Sequence, residues 1–131
     1  MERVRVLLAD DHVTILTRVR SVLGEEFDIV GTVSNGRDAL KEVQRLDPDV
    51  LVIDISMPVL DGLQAAAQLR SCHPRTKIVF LTVHEDQDFV DAAFSAGASG
   101  YVVKSQVASD LVPAIREALD GRTYVSHFTS R

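Results

Sequence analysis

The sequence predicts an α/β domain built on a doubly wound parallel sheet. Strand-like and helix-like segments alternate five times with short connections, the pattern of a parallel sheet covered by helices on both faces. The strand segments are runs of consecutive apolar residues, as expected of strands buried on both sides. At the carboxyl end of every strand but the second stands a charged or hydroxyl residue. Ligands of such sheets bind there, where the strand order reverses.

Val4-Arg5-Val6-Leu7-Leu8-Ala9 is the first strand and runs into Asp10-Asp11. Leu16, Val19 and Leu23 recur at helical spacing, widened by Ile15 and Val22 and stopped by Gly24. Phe27 to Val33 reads as a weaker edge strand. Ser34 or Asn35 caps a helix with Ala39, Leu40, Val43 and Leu46 inward, closed by Asp47-Pro48. Val50-Leu51-Val52-Ile53 is the central strand and meets Asp54, after which Pro58 and Asp61-Gly62 mark a loop. Leu63, Ala66, Ala67 and Leu69 face inward on a third helix that breaks near His73-Pro74. Lys77 to Thr82 is the fourth strand, and Phe89, Val90, Ala93 and Phe94 line a fourth helix ending at Gly97. Gly100 to Lys104 is the fifth strand. Leu111, Ala114, Ile115, Ala118 and Leu119 form the clearest helical stripe, stopped by Gly121; Pro113 fits it if the helix begins near Ser109. The remaining residues, 122–131, are polar and show no further helix pattern. Right-handed crossovers and five such units predict the order 2-1-3-4-5 of a flavodoxin-like, five-stranded sheet with five helices.

At 131 residues the chain has the length of one ordinary domain, and its 46% hydrophobic and 25% charged fractions are those of a globular protein. A formal net charge of -5 argues against gripping nucleic acid or an anionic membrane directly. Cys72 is the single cysteine, so neither a disulfide framework nor a cysteine zinc site is expected, and the thiol reads as a buried or half-buried small residue. The first residues lack an apolar leader, and no run approaches membrane-spanning length, which predicts a cytoplasmic protein without membrane contact.

Asp10, Asp11 and Asp54 converge on one crevice in the predicted strand order. Singly, each reads as a helix cap. Together, crowded carboxylates repel one another and require either protons or a cation. Hard oxygen ligands with room for water suit Mg²⁺. A divalent ion beside a free carboxylate, with the Lys104 ammonium and the Thr82 hydroxyl facing it, is a phosphoryl-transfer arrangement. Asp54 is the candidate nucleophile, and Lys104 and Thr82 are the candidate partners of phosphoryl oxygens. His12, His73, His84 and His127 show no ligand spacing, so a histidine metal site is not expected.

Leu8-Ala9-Asp10-Asp11-His12, Asp54 to Gly62, Leu81-Thr82-Val83-His84 and Gly97 to Lys104 stand in order at spacings that resemble the receiver domain of two-component response regulators. The resemblance runs from about Val4 to Gly121 and is closest to receivers of regulators with a LuxR-type helix-turn-helix output. It implies a receiver over residues 1–121, with 122–131 a tail or the start of a linker to an output domain outside this chain. It implies phosphorylation of Asp54 by a histidine kinase, Mg²⁺ held by Asp11, Asp54 and the Ser56 backbone carbonyl, and Asp10 reaching the metal through water. It also implies a switch in which Thr82 moves toward the phosphoryl group and Tyr101 turns inward, altering the face formed by the fourth helix, fifth strand and fifth helix. Without the resemblance, Tyr101 reads as a half-exposed strand aromatic. A phosphorylation-dependent homodimer and control of a DNA-binding transcription output follow from the same likeness.

The chain departs from the common pattern at Val83, where a small residue is usual and where the branched side chain narrows access to the phosphoryl site. Ser105 stands where Pro is common. Ser56 and His84, each two positions beyond a site residue, are candidates for tuning the lifetime of the acyl phosphate through the attacking water. A stand-alone regulator and a phosphate-independent interaction module are the alternatives. An enzyme acting on an external substrate is disfavoured. A Mg²⁺-dependent Asp phosphatase needs its two Asp residues separated by one position, whereas Asp10 and Asp11 are adjacent. The first turn has no glycine-rich phosphate loop, and Ser56 lacks a glycine-flanked elbow.

Overall fold

The computed structural model describes residues 3–128. Strands β1 (Val4–Ala9), β2 (Phe27–Val33), β3 (Val50–Ile53), β4 (Lys77–Thr82), β5 (Gly100–Val103) and β6 (Tyr124–Val125) form one sheet in the order β2-β1-β3-β4-β5-β6. Every pairing is parallel. Helices α1 (Val13–Leu23), α2 (Gly36–Leu46), α3 (Gly62–Cys72), α4 (Gln87–Ser95) and α5 (Val107–Leu119) cover its two faces.

Residues of one strand alternate between two cores, because successive side chains point to opposite faces. Leu51 and Ile53 join a cluster with Ala39, Val43, Ala65, Ala66, Leu69, Val90 and Ala93, on the α2–α3–α4 side. Val50 and Val52 join Val19, Leu23, Leu111, Ala114, Ile115 and Ala118, on the α1–α5 side. All of β3 is buried, and β2 at the edge is only partly so. This is the flavodoxin-like doubly wound arrangement that the alternation of segments predicts.

The sheet has six strands, not five. Tyr124 and Ser126 donate their backbone N–H groups to the carbonyls of Ser99 and Tyr101, at 3.1 and 2.8 Å, which adds β6 beside β5. A two-residue strand is too short to leave a periodic signal. The predicted tail therefore has structure as far as Phe128; residues 129–131 lie outside those described.

Other boundaries move as well. α5 begins at Val107, behind a 3-10 turn over Lys104–Gln106, so Pro113 is interior to it. The ring faces solvent, and Ser109, whose carbonyl loses its helical partner, is also exposed, so water can satisfy that carbonyl. On α3, Ala65 is buried where the sequence reading placed Ala67 inward, and Leu119 of α5 is 37% exposed. Cys72 ends α3 on the surface, contrary to its expected burial.

Candidate functional site

Register places the acidic residues side by side. Ala9 pairs with Ile53, so Asp10 and Asp54 leave β1 and β3 at the same level. The Asp54 N–H donates to the Ala9 carbonyl at 3.0 Å, and the Asp10 N–H to that of Val33, also at 3.0 Å. Thr82 pairs with Val103, which brings Lys104 to the same end of the sheet.

The loop after β3 is fixed by close backbone contacts. The Gly62 N–H donates to the Ile55 carbonyl at 2.7 Å. A Cβ on Gly62 would stand 2.1 Å from the Asp54 carbonyl oxygen, so any side chain there would displace the Asp54 backbone. Asp61 then caps α3 in a reciprocal capping box with Gln64. Between them Val59 holds φ at 72°, a left-handed conformation that a β-branched residue rarely adopts.

Asp10 and Asp54 are both buried, and Lys104 Nζ lies 2.8 Å from Asp10 Oδ2 and 3.0 Å from Asp54 Oδ2. Burial depresses the Lys104 pKa, but the hydrogen bonds and charges of the two carboxylates outweigh it and hold the ammonium above its ordinary value. The other oxygen, Asp54 Oδ1, is buried and has no hydrogen-bond partner among the described residues. Such an atom is costly unless a ligand takes it up.

Asp10, Asp11, His12 and Asp54 each offer a ligand atom within 4.8 Å of the others. These groups could hold a metal ion together, and carboxylate oxygens suit a hard divalent cation. His12, for which the histidine spacing gave no metal-site expectation, lies within this group. Its Nδ1 lies 3.1 Å from Asp10 Oδ1 and 3.2 Å from Asp11 Oδ1.

Thr82 is fully buried, and its Oγ accepts the His84 N–H at 3.4 Å. Tyr101 is also fully buried, so the half-exposed alternative is wrong. Its hydroxyl donates to the His84 carbonyl at 2.8 Å, and its pKa rises through burial, reinforced by the charges of Asp54 and Asp86. The His84 ring meets Ser56 Oγ at 3.0 Å through Nε2 and stacks on Phe89 at 4.0 Å. Ser56 and His84, singled out separately, thus form one bridge between the loops after β3 and β4. Val83 is 65% exposed and shares a surface cleft with His12, Ile15, Arg18 and Lys104 at the mouth of the site.

Residues 6–116 match the family model described as a response regulator receiver domain. The chain is 36% identical over 125 residues to the response regulator GacA of Pseudomonas viridiflava, covering 94% of this chain and 58% of that protein. The chain thus spans little more than half the length of that relative. Among solved structures, it resembles a LuxR-family two-component response regulator from Aurantimonas sp. SI85-9A1, with a TM-score of 0.88 and 30% identity over 94% of this chain and 89% of that one. The signal receiver domain of NarL from Mycobacterium tuberculosis gives a TM-score of 0.87 and 31% identity, covering 93% of this chain and all of that one.

Proposed function

The chain belongs to the response regulator receiver domain family, and on that premise we propose that Asp54 is its phosphoacceptor and that its metal is Mg²⁺. The observation that carries this reading is the division of labour on one carboxylate. Lys104 holds Asp54 Oδ2, while Oδ1 is buried and has no hydrogen-bond partner among the described residues.

Asp10, Asp11, Asp54 and the Ser56 carbonyl would hold the ion, with Asp10 acting through water. Bound Mg²⁺ neutralises charge on the transferring phosphoryl group and on the carboxylates around it. An Asp54 oxygen attacks the phosphorus of a kinase phosphohistidine; the P–O bond forms, the P–N bond breaks, and the imidazole departs with its electron pair. Lys104, already held at this end of the sheet, pairs with a phosphoryl oxygen as a point charge. Thr82 donates its hydroxyl to another, giving up its contact with the His84 N–H. The conformational readout is the α4–β5–α5 face, biased by Thr82 and Tyr101.

The receiver takes in β6 and so extends past residue 121 to Phe128, and a linker to an output domain would begin after it. The domain is cytoplasmic, and its partners are a histidine kinase, a second copy of the chain on phosphorylation, and, in a longer protein, a DNA-binding transcription output. Among the described residues no helix is long and apolar enough to cross a membrane. The domain accepts and loses its own phosphoryl group and turns over no external substrate.

Intact mass after incubation with acetyl phosphate tests this directly. One added phosphoryl group is expected with Mg²⁺, none without it, and none in Asp54→Asn. An adduct that persists in Asp54→Asn would place the acceptor elsewhere. No adduct from acetyl phosphate or from any kinase phosphodonor would favour a phosphate-independent interaction module.

A further inference from the structure

The chain beyond α5 reaches back to the strand that presents Lys104. Ser126 is 3% exposed, and its Oγ donates to Asp110 Oδ2 at 2.6 Å while accepting the Val103 N–H at 3.1 Å. Its own N–H donates to the Tyr101 carbonyl at 2.8 Å. Asp110, also buried, receives a second hydrogen bond from Ser109 Oγ at 3.0 Å and lies in the first turn of α5, where the helix dipole favours a carboxylate. Gln106 closes the far side by donating Nε2 to the His127 carbonyl at 2.7 Å. Phe128 packs against the same core cluster as Tyr101.

Two features make this more than the docking of a tail. A buried carboxylate is expensive unless hydrogen-bonded, and the shortest hydrogen bond to Asp110 comes from Ser126, in the segment beyond α5. The backbone groups that Ser126 engages, Tyr101 C=O and Val103 N–H, flank Val102 at the end of β5, just ahead of Lys104. The polypeptide just ahead of Lys104 is thus clamped on the side opposite β4.

We propose that Asp110 and Ser126 are positioning residues for Lys104. They fix the carboxyl end of β5 so that the ammonium meets the phosphoryl group on Asp54 without further reorganisation. This rests on the receiver reading above. Pre-ordering a binding group lowers the cost of engaging its ligand. By reciprocity, a ligand that engages Lys104 must tighten the clamp by the same factor, so occupancy of Asp54 is transmitted to β6 and the residues after it as far as Phe128.

The test titrates the full chain with Mg²⁺ alone, followed by amide shifts, and then with beryllofluoride at saturating Mg²⁺, followed by ¹⁹F resonance. Wild type, Ser126→Ala and the isosteric Asp110→Asn are compared. On the receiver reading Lys104 engages the phosphoryl group, while in the structure its ammonium bridges Asp10 and Asp54, two of the metal ligands. Both variants are therefore expected to weaken beryllofluoride binding roughly fivefold or more and Mg²⁺ binding by a clearly smaller factor. In wild type, beryllofluoride should slow hydrogen exchange at the Val103 and Ser126 amides by a matching factor. Faster exchange in the variants with unaltered beryllofluoride affinity would show a passive tail and overturn the proposal. Parallel loss of Mg²⁺ and beryllofluoride affinity would signal general destabilisation and also overturn it. If wild type takes up Mg²⁺ but no beryllofluoride, the receiver reading itself fails, and the positioning role with it.

Discussion

Val59 stores strain beside the site. Its φ of 72° lies where the Cβ of an L-residue is crowded, and two γ-carbons add to that cost. The side chain is 69% exposed, so little burial compensates. The strain is held by the Leu60 N–H bonded to the Pro58 carbonyl, the Gly36 N–H bonded to the Leu60 carbonyl, and the Gly62 contact with Asp54. Val59→Gly should therefore raise unfolding stability by about 1 kcal/mol, the relief of strain exceeding the added freedom of the unfolded chain. Chemical denaturation measures it, and equal or lower stability in the glycine variant would show that the loop is relaxed. At this scale much of the site was legible. Asp10, Asp11, Asp54, Thr82 and Lys104 announce themselves because each ends an apolar strand, and a polar group at that boundary needs a reason. The strain at Val59 was not legible, since φ depends on how the surrounding loop is pinned.

At the level of elements, the loop between β4 and α4 has its contacts collected on one residue. His84 gives its N–H to Thr82, its carbonyl to Tyr101, Nε2 to Ser56 and its ring face to Phe89 of α4. We propose that this loop orders the water attacking the Asp54 adduct; on that reading His84→Ala, which removes the bridge to Ser56, should change the dephosphorylation rate several-fold. Ser56→Ala should give a similar change, and the double variant little more, since the two act as a unit. An unchanged decay of phosphorylated His84→Ala, followed by intact mass, would remove His84 from this role. The sequence pointed to Ser56 and His84 by position but not to their contact, which is a product of the β3–β4 pairing. Elements long enough to repeat a pattern were read well: the five helices and the first five strands stand where their apolar periods put them. Failures came where a tertiary contact outranks local preference. Pro113 sits inside α5 because its exposed face forgives the lost hydrogen bond, and β6 exists because β5 offers it a ladder.

For the whole molecule, the three-layer packing and the electrostatics of one sheet end oppose each other. Apolar burial on both faces of β1 and β3 forces their carboxyl ends together, and with them Asp10, Asp11 and Asp54, of which Asp10 and Asp54 meet the Lys104 ammonium. A stability-optimised sheet would not place an unpartnered carboxylate oxygen there; a site for a cation and a phosphoryl group does. A cation bound to this native cluster stabilises the fold by mass action, since the unfolded chain does not assemble the ligands. At a Mg²⁺ concentration of about 100 Kd the gain is about 2.7 kcal/mol. For a domain of this size that corresponds to a rise in Tm of roughly 8 °C. Differential scanning calorimetry with and without Mg²⁺ should show this rise in wild type. It should be largely lost in Asp11→Asn, which removes a charged ligand while preserving shape. Asp54→Asn should raise the Tm measured without metal, because it removes charge repulsion and the cost of an unsatisfied buried carboxylate oxygen, and should respond less to Mg²⁺. A wild-type Tm indifferent to Mg²⁺, or an Asp54→Asn variant less stable than wild type without metal, would mean that Lys104 alone balances the cluster.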